Sequence, residues 1–176
     1  MITETGTAPT TIQYLKEILY APYQHPEILP SALPLILGGV ALELYFGKHK
    51  DERLGWNSSL ANAVIWVATG LTLIVSGEIT SVMHRYVAYF LIGLGGITGY
   101  MDFYHKWPEE VAFVASSAIS VYSVAYVTLV MVKTGMPVTT PSLKAAGIFI
   151  VGATLFFQAV QLFETSMDDS RKGLPN

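Results

Sequence analysis

Three side chains of types that bind metals, His49, Asp102 and His105, stand near the ends of long apolar segments. Asp102 and His105 are three residues apart, and this spacing places both side chains on one face of a helix end. Imidazole and carboxylate groups are common ligands of divalent metals. The spacing matches no specific metal-binding motif, so ordinary polar contacts are the preferred interpretation and neither a metal nor another cofactor is predicted.

His84 is a further imidazole, but it lies too far from His105 to bind the same metal. If the segment from 81 to 100 is one helix, about 1.5 Å of rise per residue puts roughly 30 Å between His84 and His105. The two rings then belong to opposite surfaces of the layer that the helix crosses.

Glu43 is an acidic residue within an apolar segment, one turn before a charged hairpin. A carboxylate at the centre of a membrane helix costs about 2.5–3.5 kcal/mol, so such residues are candidate proton or cation sites. The hairpin, however, carries Lys48, Lys50 and Arg53 close by. An interfacial carboxylate paired with one of these cations, or bonded to the turn, is therefore the preferred interpretation.

Small residues recur at helical spacing in two of the apolar segments. Gly95 and Gly99 form a G-x-x-x-G pair, and Ala112, Ser116 and Ser120 form a similar stripe. The glycine-rich run around Gly95 has the wrong spacing for a dinucleotide loop and no strand before it. Both stripes predict helix-packing faces, either within the chain or against another copy.

These residues must be positioned by long apolar segments. Of the 176 residues, 52% are hydrophobic and 13% are charged, and no charged residue lies between Arg53 and Glu78 or between Glu110 and Lys133. About 20 apolar residues cross a hydrocarbon core of about 30 Å. The sequence therefore predicts an all-α, polytopic transmembrane helix bundle with about five spans, at about 28–46, 57–77, 81–100, 108–132 and 141–164.

The ends of the chain are predicted to lie outside this membrane domain of residues 28–164. Residues 1–27 contain a short interfacial helix from Thr10 to Tyr20, with Ile12, Leu15 and Leu19 on one face. Prolines then prevent one continuous helix into the membrane. Residues 165–176 are predicted to form a polar, frayed tail.

Basic residues predict the orientation. With five spans, one side carries six Lys and Arg residues and the other carries four, and the first hairpin supplies three of the six. Because cytoplasmic loops are enriched in Lys and Arg, the N-terminus is predicted to lie outside and the C-terminus in the cytoplasm.

Several functions are excluded or disfavoured. The chain has no cysteine, which removes disulfides, thiolate zinc sites and iron–sulfur clusters. Its net charge of -3 gives no support to a nucleic-acid partner. Neither a Ser/His/Asp arrangement nor an H-E-x-x-H or phosphate-loop motif is present.

The first hairpin also carries a resemblance. The segments Glu43–Gly47 and Leu54–Asn57 resemble a loop of small, uncharacterised polytopic membrane proteins of archaeal type. The resemblance covers this hairpin and implies a polytopic membrane fold. It implies no activity.

The leading functional interpretation is a non-enzymatic membrane protein, a structural or assembly subunit. Its expected partners are the lipid bilayer and either further copies of itself or other membrane subunits. One alternative is a small ion or solute channel or carrier that uses Glu43. A second is an integral-membrane, metal-dependent enzyme with chemistry at His49, Asp102 and His105.

Overall fold

All regular structure in the described part of the chain is helical. The computed structural model describes residues 8–48, 55–77, 79 and 81–172, and no strand occurs among them. The helices are α1 (Thr11–Gln24), α2 (Leu29–Lys48), α3 (Trp56–Val75), α4 (Val82–Phe103), α5 (Glu109–Ala115), α6 (Ala118–Lys133) and α7 (Thr140–Lys172), with a 3-10 turn at Pro26–Ile28 between α1 and α2. The predicted all-α membrane bundle is confirmed.

Within the described residues, four helical segments are long and apolar enough to cross a membrane: Pro26–Tyr45, Trp56–Val75, Glu109–Lys133 and Thr140–Val160. These segments make the chain an integral membrane protein. Helix α4 has 22 residues, which is sufficient length, but His84, Arg85 and Asp102 lower its apolar content. Helix α4 packs extensively against α3. A fifth span at α4 stays a prediction.

Helix α1 begins at a reciprocal cap. The Thr10 hydroxyl accepts a hydrogen bond from the backbone N–H of Gln13 at 3.4 Å, and the Gln13 side chain accepts one from Thr10 N–H at 2.7 Å. The helix runs four residues beyond the predicted end at Tyr20 and tolerates Pro22. The chain then turns at His25, just before Pro26.

Helix α1 is packed into the bundle against α6 and α7. Its buried side chains are Tyr14, Ile18 and Ala21. Of the predicted apolar face, Ile12 is 66% exposed and Leu19 is 55% exposed, while Leu15 is partly buried against the core. Helix α1 therefore makes a protein-facing stripe as well as an apolar outward one, which suits a helix at the edge of a membrane bundle.

Helices α3 and α4 approach each other closely because glycine lies at the contact. A Cβ on Gly95 would lie 2.7 Å from the backbone oxygen of Ala63, and one on Gly70 would lie 2.6 Å from Cγ1 of Ile92. Gly99 faces the same helix, since its Cβ would lie 3.7 Å from Cβ of Ala63. The G-x-x-x-G pair thus lies on the α4 face that packs against α3.

The predicted span over 108–132 is present as the candidate span Glu109–Lys133, but its helix is interrupted. The structure divides it into α5 and α6, with a break at Ser116 and Ser117. Ser117 is extended, with φ -62° and ψ 148°. Serine hydroxyls compete for backbone groups and so favour such interruptions. The predicted stripe of Ala112, Ser116 and Ser120 therefore spans two helices, with Ser116 at the break between them.

Helix α7 continues past the predicted end of the last span near Glu164. Its backbone is helical to Lys172, so the segment 165–172 extends the helix instead of forming an irregular tail. The composition allows this because proline is absent between Pro141 and Pro175.

Candidate functional site at the break between α5 and α6

Asp102 is the centre of a buried polar cluster at one end of the bundle. The residue is 1% exposed and lies in the last turn of α4. Its Oδ2 accepts hydrogen bonds from Ser59 Oγ at 2.7 Å and from Ser116 Oγ at 3.0 Å. Its Oδ1 accepts one from Trp107 Nε1 at 2.8 Å. A single carboxyl group therefore joins α3, α4, the loop after α4 and the break.

Two backbone carbonyls at the break also accept hydrogen bonds from side chains. Asn62 of α3 donates from Nδ2 to the Ser116 carbonyl at 2.8 Å, and Ser120 donates to the Val114 carbonyl at 3.4 Å. Ser117 donates from Oγ to Ser120 Oγ at 2.9 Å. Irregular backbone at membrane depth is tolerated where protein groups replace the missing helical bonds. Helix α3 supplies much of that replacement.

Glu43 lies on the opposite flank of the break. Its half-buried side chain accepts a hydrogen bond from the backbone of Ile119, which is in the first turn of α6. The N-terminus of a helix carries unsatisfied N–H groups and favours negative charge. Glu43 therefore acts as a cap for α6. The predicted pairing with Lys48, Lys50 or Arg53 concerns side chains outside the described residues.

The three candidate metal ligands are not assembled in the described part of the chain. His49 lies outside the described residues. His105 has a left-handed backbone, with φ 50°, and its ring stacks on Trp56 with centroids 4.1 Å apart. The carboxylate of Asp102 is directed to its three donors. Among the described residues, no group of three or more His, Asp or Glu could hold a metal.

His84 and His105 lie at opposite ends of α4, as predicted. His84 is 3% exposed, and its Nε2 lies 2.7 Å from the Met136 carbonyl. Since a carbonyl can only accept, the ring carries its proton on Nε2 in this contact. The buried Nδ1 has no hydrogen-bond partner among the described residues. His84 thus links the start of α4 to the loop before α7.

The sequence identifies some of the residues at the break and misses others. Ala112 and Ser116 are fully buried, and Ser120 is partly buried beside the break. Asn62 of α3 forms an interhelical hydrogen bond at the break. The sequence does not identify Ser59 and Trp107 as donors to Asp102. Their signal is a carboxylate directly after an apolar run, which needs donors if it is buried.

Taken together, these contacts join α2, α3, α4 and α6 around the break. Each carboxylate at the break engages donors from other elements, and Trp66 Nε1 adds a bond to the Val121 carbonyl of α6 at 3.0 Å. Such a network fixes helix register. Comparisons of the chain with protein-family models, with curated proteins and with solved structures found no match.

Proposed function

We propose that the protein is a non-enzymatic assembly subunit that pairs with a second copy of itself through the outward face of α4. The observation that carries this proposal is the makeup of that face. Gly93 and Gly96 are exposed, and a Cβ on either would meet nothing within 4 Å. The exposed rings of Tyr89 and Tyr100 flank them along the helix. We call this surface the α4 notch.

The α4 notch differs from a surface suited to lipid alone. Helix α7 exposes large aliphatic side chains, such as Val151 and Leu155. The α4 notch instead combines glycine with tyrosine on a helix that is less apolar than the four candidate spans. Lipid tails do not drive helices together by the hydrophobic effect, so close backbone approach at small residues supports association in membranes.

A second copy is the partner that best suits this surface. Most soluble oligomers are symmetric pairs of like subunits, and a two-fold contact uses the same patch on both partners. The two glycines are one turn apart, so the α4 backbones of two copies can approach at this point. The tyrosine hydroxyls beside the notch supply donors for the partner's polar groups.

The other two functional interpretations have less support. Glu43 bonds to the backbone at the start of α6, which gives this carboxylate a structural role. Asp102 accepts three hydrogen bonds from neutral donors, and His105 stacks on Trp56. A channel or carrier would need Glu43 to bind its ion or solute. A membrane metalloenzyme would need Asp102 and His105 to bind its metal.

We expect replacement of both notch glycines, Gly93→Leu with Gly96→Leu, to abolish pairing. Two leucine side chains on each copy keep the backbones apart, and we expect the dissociation constant to rise at least tenfold. The measurement is the fraction of dimer in lipid nanodiscs, by mass and by energy transfer between labelled copies. The matched control is Gly147→Leu with Gly152→Leu, because both glycines face open space on α7.

A wild-type chain that stays monomeric at high density in bilayers would overturn the proposal. So would a dimer that the α7 pair disrupts and the α4 pair leaves intact. Because the chain has no cysteine, a single Gly96→Cys variant adds a direct test. With iodine added as the oxidant, we expect the two thiols to form a disulfide-linked dimer in membranes, since the notch faces itself across the two-fold axis.

The orientation is part of the same proposal, with the N-terminus outside and the C-terminus cytoplasmic. The three basic residues of the first hairpin support this assignment. Gly55 precedes the first residue of α3 at the hairpin. Thr140 begins α7, and in a five-span bundle it lies at the opposite membrane surface. We expect an impermeant thiol reagent outside intact cells to label Thr140→Cys and not Gly55→Cys. The reverse pattern would invert the topology, and equal labelling would contradict five spans.

A further inference from the structure

We propose that a groove between α1, α2, α6 and α7 binds one hydrocarbon chain of a bilayer lipid. The groove has a volume of about 240 Å³. Helix α1 contributes Leu19 and Pro22, α2 contributes Val40, and α7 contributes Ala153 and Phe157. This site is separate from the α4 notch, and it stands whether or not the protein pairs.

The chemistry of the lining selects an apolar occupant. Most lining side chains are aliphatic or aromatic. Tyr126, which also lines the groove, donates its hydroxyl to the Ile18 carbonyl at 2.9 Å and so offers no donor to a ligand. An apolar cavity of about 150 Å³ excludes water and accepts a benzene-sized molecule. A larger groove of the same character accommodates a longer hydrocarbon.

The position of the groove identifies where this hydrocarbon comes from. Gly39, Tyr122 and Ala153 line it from three different candidate spans. Each lies well inside its span, away from both ends. That depth in a bilayer is occupied by lipid acyl chains. A bilayer lipid is therefore the ligand that surrounds the groove at the highest concentration.

The groove is built by specific close contacts. A Cβ on Gly38 would lie 2.7 Å from Cε1 of Tyr122, and one on Gly39 would lie 3.1 Å from Cβ of Tyr122. These two glycines let the Tyr122 ring lie flat against α2 and form one wall. Helix α1, which is too short to cross a membrane, forms another wall. The bond from Tyr126 to Ile18 holds that wall in place.

The test uses photo-crosslinking in vesicles of phosphatidylcholine that carry a diazirine midway along one acyl chain. We expect crosslinks to concentrate on groove residues such as Val40 and Phe157, at least fivefold above outward residues such as Leu155. Val40→Trp fills the groove and should remove this excess. The matched control is Val151→Trp, because Val151 is 59% exposed on α7 and does not line the groove.

Two outcomes of the comparison between Val40→Trp and the wild-type chain would overturn the proposal. One is groove labelling no higher than the labelling of Leu155, and the other is an excess that Val40→Trp leaves unchanged. Ala153→Leu is a milder filling variant and should also lower the excess if Val40→Trp does not fold. Tyr122→Phe removes a hydroxyl from the wall and should leave labelling unchanged. Loss of labelling in that variant would contradict a plain hydrocarbon occupant.

Discussion

Replacing Gly95 with alanine is expected to destabilise the protein by about 3 kcal/mol, at the upper end of the usual cost of overpacking. The added Cβ would lie 2.7 Å from the Ala63 carbonyl oxygen, 2.9 Å from Cβ of Trp66 and 2.9 Å from Cγ2 of Val67. A backbone oxygen inside a helix cannot rotate away, so α3 and α4 must separate along their contact. The measurement is the midpoint of thermal unfolding in mild detergent, followed by circular dichroism.

Gly96 supplies the matched control for this substitution. It is the next residue of the same helix, and a Cβ there meets nothing within 4 Å. Since alanine favours a helix interior over glycine by about 1 kcal/mol, Gly96→Ala should leave the stability of the monomer unchanged or raise it. Equal midpoints for Gly95→Ala and Gly96→Ala would show that α3 and α4 are not in such close contact.

The consequences of Gly95→Leu follow from the same geometry. The sequence predicts that Gly95 and Gly99 pack against another helix. When the run from 93 to 99 is helical, however, its glycines lie on several faces of the helix. Which glycine faces which neighbour depends on the angle at which α4 meets α3. Because Gly95 faces α3, Gly95→Leu should disrupt the fold of each chain. A test of association must therefore use Gly93 and Gly96.

The helices themselves could be predicted because their signals are local. Segment length and apolar content identify the spans, and Ser81 accepts a hydrogen bond from His84 N–H at 3.1 Å as a helix cap should. The break at Ser116 and Ser117 has only a weak local signal, because two serines mark it and neither proline nor glycine does. It is stabilised by Asn62 and Asp102, which lie 54 and 14 residues away from Ser116. Contacts of that kind form only in the folded chain.

The burial of Asp102 was unpredictable for the same reason. A carboxylate at the end of an apolar helix normally reaches water, and the sequence favours a polar loop at this point. The donor most distant in sequence, Ser59, is 43 residues away, and Trp107 folds back from the loop after α4. Burial then becomes tolerable because three donors surround the carboxylate. The cluster that results is a property of the packed helices.

Replacing Asp102 with leucine is expected to lower the free energy of unfolding by more than about 3 kcal/mol. Ser59, Trp107 and Ser116 would each lose an acceptor, and an unsatisfied buried donor costs about 1–3 kcal/mol. The break between α5 and α6 should also loosen. Hydrogen exchange at the backbone amides of α6 near Ile119 should therefore rise, and thermal unfolding in detergent should report the loss of stability.

Asp102→Asn distinguishes lost hydrogen bonds from lost charge. The amide oxygen can still accept from Trp107, and the amide nitrogen, at the position of Oδ2, can donate to the hydroxyls of Ser59 and Ser116 once these rotate. We therefore expect Asp102→Asn to retain more stability than Asp102→Leu, while Ser59→Ala, which removes one donor, should cost about 1 kcal/mol. If Asp102→Leu unfolded at the wild-type midpoint, the cluster would contribute nothing to the packing of α3 and α4 against the break. If Asn and Leu were equally damaging, the negative charge itself, and not the geometry of its acceptors, would hold the break in place.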